Sequence, residues 1–360
     1  MSKYQITLTP VDKFFFGGDM TFQVGTDETD AHNSQFKSYI IQSSMFPQQT
    51  SLLGMLRFLI LRNNGDSFKD GHIVNTKTAE TIIGPHSFIV NGSEHQPTIF
   101  GLIQGLSHVY VLKTVDGNKT RLEFAPLFGA LDLNGSSKGI YNQKEICIPI
   151  RLEKEYVAKD GLPYTLTDGV HPVKFEDIFI KDRRIGIDRN IDTGKVDDAA
   201  LFKQISYRFN NKAAQYQFAF EAKIADELDL TAYNGQLVTV GADNSQFIIG
   251  ISKNHVSEDT IKPINNAVYL LSPTFLPRKD AQTAKFAITR LMPFRFLQSV
   301  IMGDAKSYHI LSGELTRSKR YELYAPGSVF YFENEEQKKA FVERIDAQKD
   351  FKQIGYNEYK

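Results

Sequence analysis

The chain has 360 residues, of which 41% are hydrophobic and 23% charged, so it holds enough apolar material for two packed cores and does not read as disordered. Its 42 basic and 42 acidic residues cancel, which excludes nucleic-acid binding driven by the field of the whole molecule and leaves only local clusters. The single cysteine, Cys147, excludes an intramolecular disulfide and a thiolate metal cluster; its setting, Ile146-Cys147-Ile148, reads as a strand with a small buried hydrophobe.

Residues 1–8 alternate as a first strand and lack the apolar core of a signal peptide, and the best apolar run, Leu52 to Leu61, is short and broken by Arg57. A cytoplasmic protein with no membrane partner is the expectation. Next comes a loop with Phe14-Phe15-Phe16-Gly17-Gly18, three adjacent aromatics beside two conformationally permissive glycines. The spacing of Leu52, Leu53, Leu56, Leu59 and Ile60 predicts a helix over 50–63, stopped by Asn64-Gly65.

Alternation around Asp116-Gly117-Asn118 predicts a hairpin over 108–124. A second hairpin is predicted over 201–224, with its turn at Asn210-Asn211-Lys212, and paired strands at 237–240 and 247–251. Strands follow at 267–272 and 328–332. A last helix begins after Asn334, which caps it with Gln337 three residues on. Mixed helices with many antiparallel hairpins predict an α+β fold, and the Gly- and Pro-containing stretch 160–181 places the domain junction so as to give domains 1–170 and 171–360.

No phosphate-binding loop, dinucleotide-binding, nucleophile-elbow or zincin motif occurs, and the eight histidines are scattered, so no metal or cofactor is expected. One catalytic alternative is an endoribonuclease with His32 as general acid or base, beside Lys37, Asp27 and Asp30; the same loop also reads as merely polar and solvated. Positive charge gathers twice. Residues 181–212 hold eight Lys/Arg against five Asp, and 278–320 hold nine against three Asp/Glu. Aromatics interleave there as Tyr207-Arg208-Phe209 and Phe294-Arg295-Phe296, a mixture that suits single-stranded RNA but also describes a half-buried strand.

Five segments in order carry a resemblance: Leu8-Thr9-Pro10 leading into Phe15-Phe16-Gly17-Gly18; Phe46-Pro47 to Ser51-Leu52-Leu53-Gly54; Arg184-Ile185-Gly186-Ile187-Asp188-Arg189; Tyr269-Leu270-Leu271-Ser272-Pro273; and Ala325-Pro326-Gly327-Ser328-Val329. Together they resemble the third-subunit family of type III-B CRISPR (Cmr) effector complexes, within the RAMP superfamily. The resemblance implies two fused ferredoxin-like, RRM-type domains and a non-catalytic subunit. Such a subunit grips the 5′ tag of the guide RNA (crRNA), docks the large polymerase-like subunit and the backbone RNase subunit, and meets target RNA indirectly. It points to Phe15, Gly17, Gly18, Arg57, Arg183, Arg184, Gly186, Arg189, Lys195, Gly355 and Tyr356 as RNA-binding residues. Two departures stand out: Asp19-Met20 follow Gly18 where family members often carry an arginine, and the glycine-rich loop is reduced to Ile354-Gly355-Tyr356-Asn357.

Overall fold

The computed structural model describes residues 1–17, 20–22, 39–90, 99–126, 137–141, 144–148, 165–189, 196–241, 243–253, 266–300 and 314–360. The first part of the chain runs β1 (Ser2–Pro10), β2 (Met20–Phe22), β3 (Tyr39–Gln42), α1 (Gln49–Arg62), β4 (Phe68–Lys69), β5 (His72–Ile73) and α2 (Thr76–Ile83). It continues with β6 (Ile103–Leu106), β7 (Tyr110–Val115), β8 (Asn118–Phe124), β9 (Ser137–Tyr141), β10 (Lys144–Ile148), β11 (Thr165–Thr167), β12 (Pro172–Lys174) and α3 (Phe175–Ile178). Then come β13 (Phe179–Arg189), β14 (Val196–Phe209), β15 (Gln215–Ile224), β16 (Leu237–Thr239) and β17 (Gln246–Ser252). The remainder is β18 (Ala267–Tyr269), α4 (Arg278–Ala281), β19 (Phe286–Ile288), β20 (Leu291–Phe294), β21 (Leu297–Val300), β22 (Glu314–Arg317), β23 (Tyr321–Tyr324), β24 (Val329–Tyr331), α5 (Glu335–Asp346) and α6 (Lys349–Gln353).

The main sheet is ordered β12-β11-β8-β7-β15-β1-β17-β16, with β6 also on β15. Strand β1 lies antiparallel between β15 and β17, and β7 lies antiparallel on the far side of β15. Counting β1, β7, β15 and β17 as first to fourth, the order is fourth-first-third-second, the split βαβ arrangement of a ferredoxin-like unit. The same order recurs later. Residues Leu270 and Tyr359 bridge, with Tyr269 and Lys360 exchanging backbone bonds of 2.8 Å, so the C-terminus pairs with β18, β18 with β24 and β24 with β19. The expected α+β class with two ferredoxin-like units is thus the architecture.

A boundary near residue 170 cuts the first sheet, because β15, β1 and β17 are hydrogen-bonded neighbours drawn from both sides of it. The Gly- and Pro-rich stretch that suggested it is a connection within the first unit; we propose that the units divide between Lys253 and Asn266. The hairpin predicted over 201–224 is also corrected. Strand β14 pairs with β13 and β3, whereas β15 enters the main sheet, so the Asn210-Asn211-Lys212 turn carries the chain from one sheet to the other. Apolar alternation marked both strands but not their partners. The hairpin at 108–124 is present as β7 and β8, and Asp116 and Gly117 both take positive φ (49° and 82°), as a two-residue turn of that hand requires.

The core is aromatic. Phe218 on β15 meets Phe209 at 4.8 Å between ring centroids, Phe14 at 5.2 Å, Phe16 at 5.5 Å and Phe46 at 5.7 Å. These rings arrive from β14, from the loop after β1 and from the approach to α1, so one side chain ties the two sheets of the first unit together. Helix α1 covers the core with Leu52, Leu53, Leu56, Leu59 and Ile60, all buried as its spacing predicts. At the other end of the chain Asn334 Oδ1 accepts from the Gln337 amide at 2.9 Å, the expected cap of α5. No helix among the described residues is long and apolar enough to cross a membrane.

Removing the hub ring leaves a void lined by several others that cannot close on it. Phe218→Ala is expected to lower unfolding free energy by about 3–5 kcal/mol, measured by denaturant titration of the purified chain, whereas a surface Val115→Ala change on β7 stays within about 0.5 kcal/mol.

Candidate nucleic-acid interface

The first predicted cluster lies on a long antiparallel ribbon. Strand β13 pairs with β14 from Phe179↔Phe209 to Gly186↔Phe202, and a register shift falls between Ile187 and Arg189. The base of the ribbon is anchored by Phe179, Phe209 and Tyr207, all buried in the aromatic core. Farther along, the strand leaves the core, and Lys181, Arg183, Arg184 and Ile185 are exposed, Ile185 to 72%. Among the described residues Arg183 and Arg184 make no ion pair or hydrogen bond. The carboxylate between them and the core, Asp182, is held by Lys13 at 3.3 Å, so it does not neutralise Arg184. Gly186 is half-buried in β13. Arg189 ends β13, opposite Val196.

The second basic run forms another ribbon. Strands β20 and β23 pair as far as Phe294↔Tyr321, and β21 and β22 resume at Leu297↔Arg317. Between these pairs two residues, Arg295 and Phe296, face three, Ser318, Lys319 and Arg320. This bulge is held by Ser318, whose amide donates to the Phe296 carbonyl at 2.9 Å while its Oγ accepts from the Phe296 amide at 3.1 Å. Phe296 is buried, and Arg295, Lys319 and Arg320 are turned outward, with Arg317 exposed beside them.

A cleft of about 740 Å³ lies where the two units meet. The approach to α1 (Phe46, Pro47, Gln49), the Phe16-Gly17 loop and the Leu271-Ser272-Pro273 turn line it, and Arg295, Arg317 and Arg320 stand on its opposite side. Four of the five segments that carried the resemblance therefore contribute to one concavity. Gln49 clamps its floor: buried Nε2 donates to the carbonyls of Ser107 at 3.1 Å and Gly355 at 3.2 Å, one in each unit.

Several predicted residues have other roles. Phe15 is buried, its amide donating to Ser245 Oγ at 2.8 Å, so it does not offer a ring for stacking. Arg57 is 4% exposed; its guanidinium lies 4.7 Å over the Phe100 ring and donates to the His86 carbonyl at 2.8 Å. With no carboxylate beside it, burial pulls its pKa down to about 9, still charged at neutral pH. Arg57 is a core-facing strut, not a phosphate ligand. Gly355 takes φ +87°, and a Cβ there would stand 2.3 Å from the Ser107 carbonyl. The close approach it permits is to protein backbone and not to RNA. Tyr356 is buried, its hydroxyl faces the first-turn amides of α1, and burial pushes its pKa up. Only its ring edge and Gly17 reach the cleft. Gly18, Lys195, His32, Lys37, Asp27 and Asp30 lie outside the described residues, and among those described no three His, Cys, Asp or Glu side chains gather as metal ligands.

Charge is also buried beside the cleft. His108 Nε2 lies 2.9 Å from Glu123 Oε2, the Arg121 Nε donates to Glu123 Oε1, and the Arg121 guanidinium stacks 3.8 Å over Tyr110. Nothing in the sequence marked this triad, because its members lie across a hairpin and read as ordinary strand residues.

Residues 136–359 match the model of the family described as CRISPR-associated protein (Cas_Cmr3). The chain belongs to this family. It is a subunit of the type III-B CRISPR (Cmr) machinery. No curated protein matches it closely enough to report. A chain of "Cryo-EM structure of the Type III-B Cmr-beta bound to cognate target RNA" is similar, with a TM-score of 0.50, 14% identity, and 99% of this chain and 96% of that chain covered. A chain of the same assembly with target RNA and AMPPnP, state 1, has a TM-score of 0.49 and 13% identity, covering 99% and 95%. At such identities the likeness is one of fold, and for this Cmr-family chain the site rests on its own residues.

Burial alone raises the Glu123 pKa, but His108 and then Arg121 outweigh it, so the carboxyl titrates below its ordinary value. A folded-state pKa depressed in this way gives stability that is present above the ordinary glutamate value and is lost as pH falls through the folded one. Glu123→Gln is expected to lower stability at neutral pH and flatten its fall between about pH 5 and pH 3, checked by denaturant melts across that range.

Proposed function

We propose that this subunit grips the repeat-derived 5′ tag of the guide RNA and joins the large polymerase-like subunit to the backbone RNase subunit, without cutting RNA itself. The observation that carries the reading is the ribbon of β13 and β14. Its arginines Arg183 and Arg184 are exposed and free of ion pairs among the described residues, on a rigid two-stranded arm rooted in the aromatic core. An exposed guanidinium with no carboxylate partner can meet a phosphate without first breaking a salt bridge, and each such contact releases counterions from the RNA. Arg208, exposed on β14 opposite Ile180, adds a cation to the same arm.

Family membership supports the place of this arm in a CRISPR complex, and the similar Cmr-beta chain comes from an assembly bound to target RNA. The neutral overall charge fits a subunit that holds RNA within an assembly, where the local cluster and neighbouring chains set the field. The tag is held by cations on β13, and target RNA is met through the guide.

The double variant Arg183→Ala/Arg184→Ala is expected to weaken guide-RNA retention at least tenfold at moderate salt, measured by filter binding of the reconstituted complex. Loss of two phosphate contacts reduces the slope of log K against log salt by about 1.4. Unchanged retention and slope contradict the assignment of this arm to the tag.

A further inference from the structure

The cleft between the units is built differently from the ribbon. A solvated groove on a basic arm offers charge only; this one has an aromatic and apolar interior, including Phe46, Phe124, Phe175 and Met292, and three arginines on the opposite side. Arg295, Arg317 and Arg320 are exposed and, among the described residues, have no hydrogen-bond or ion-pair partner. The bulge between β20–β23 and β21–β22 sets them there: the unequal count of residues shifts the alternation of the strand, so Arg320 and Arg317 turn outward on either side of buried Ser318.

The floor carries an independent mark. Gln49 is 1% exposed, its Nε2 is fixed by the two carbonyls it serves, and its Oε1 is buried with no hydrogen-bond partner. The double donation settles the orientation of the amide, so the free atom is the acceptor. A buried acceptor without a partner costs free energy of about 1–3 kcal/mol, a cost that a ligand donor recovers. The approach to α1 that opens on this floor has no acidic residue in the first turn and no side-chain cap at Gln48, so nothing negative opposes an anion entering from the arginine side.

From this geometry we infer that the cleft is a pocket for one unstacked ribonucleotide, with its base against the aromatic interior and its phosphate on Arg317, Arg320 and Arg295. The inference rests on the RNA-binding reading of this subunit and adds a second, separate contact to the arm of β13. The volume of about 740 Å³ lies within the range of small-ligand pockets, and it suits a base with its sugar and phosphate and not a folded protein segment. An apolar wall with a guanidinium rim is the chemistry of an unpaired nucleotide, whose flat face stacks on rings while its phosphate takes bidentate donors. The nucleotide comes either from the guide strand or from free mononucleotide, and the two are separable by experiment.

The test uses the full chain, with adenosine monophosphate and a labelled single-stranded RNA of about eight nucleotides, read by calorimetry and fluorescence anisotropy. The variant Arg317→Ala/Arg320→Ala changes only exposed side chains, and its melting profile checks that the fold is kept. The expected result is a loss of RNA affinity of about tenfold or more in this variant, together with a lower salt slope. Saturable mononucleotide binding that the same variant abolishes assigns the pocket to a free nucleotide as well; RNA binding alone assigns it to the strand. RNA and mononucleotide affinities both unchanged in the variant overturn the pocket. If the Arg183→Ala/Arg184→Ala complex still loses its guide, the tag-binding arm stands while the pocket falls; if both double variants bind as the parent, both readings fall.

Discussion

The structure depends on the packing of Phe218 against rings from four other parts of the chain. A phenylalanine at that point of β15 gives the main sheet, the β13–β14 ribbon, the loop after β1 and the approach to α1 a shared contact. Rings that meet at 4.8–5.7 Å in tilted and edge-on geometries fix orientation as well as burial. The ribbon is therefore a lever with a buried fulcrum: Phe179, Tyr207 and Phe209 hold its base, and its cations project beyond. An arm tethered only by its own hydrogen bonds would order at greater entropic cost when RNA arrives.

The junction of the two units follows a similar logic with a second set of rings. Phe351 on α6 meets Phe275 at 4.9 Å and Phe88 at 5.6 Å, and Phe88 meets Phe296 at 4.9 Å, so an aromatic seam joins the units behind the cleft. Gln49 and Gly355 add the polar part of that seam. Gly355 has no side chain because the Ser107 carbonyl occupies the space, and Asn357 locks the turn that follows, with Oδ1 accepting from the Phe275 amide at 2.8 Å and Nδ2 donating to the Phe275 and Ile345 carbonyls. The walls of the cleft are thus fixed relative to each other by groups that are themselves buried, which is the condition for a preorganised binding site.

Much of this was legible in the residues. The period of Leu52, Leu53, Leu56, Leu59 and Ile60 gave α1 to within a residue at each end, Asp116-Gly117 gave its hairpin, and Asn334 gave the start of α5. These signals are local, set by chemistry within a few residues. The errors came where distant segments decide. Alternation marked β14 and β15 as strands but could not say that each pairs with something far away, and punctuation by Gly and Pro at 160–181 looked like a domain boundary although the sheet closes across it. The same limit governed the site. Arg57 and Arg184 look alike in sequence; one lies under Phe100 and the other on an open arm, a difference made by tertiary packing. Phe15 and Tyr356 are buried for that reason as well. The arginines of the cleft were visible as a basic run, but the bulge that aims them was not, since it is a mismatch between two strands separated by a long connection.

The most direct test of the account is photocrosslinking and mass spectrometry of the assembled, guide-loaded complex, with a photoreactive base placed in turn at each position of the 5′ tag. The account predicts crosslinks from tag positions to peptides of the β13–β14 ribbon and of the cleft in this subunit. Tag crosslinks confined to other subunits, with this chain recovered in the complex, would contradict it.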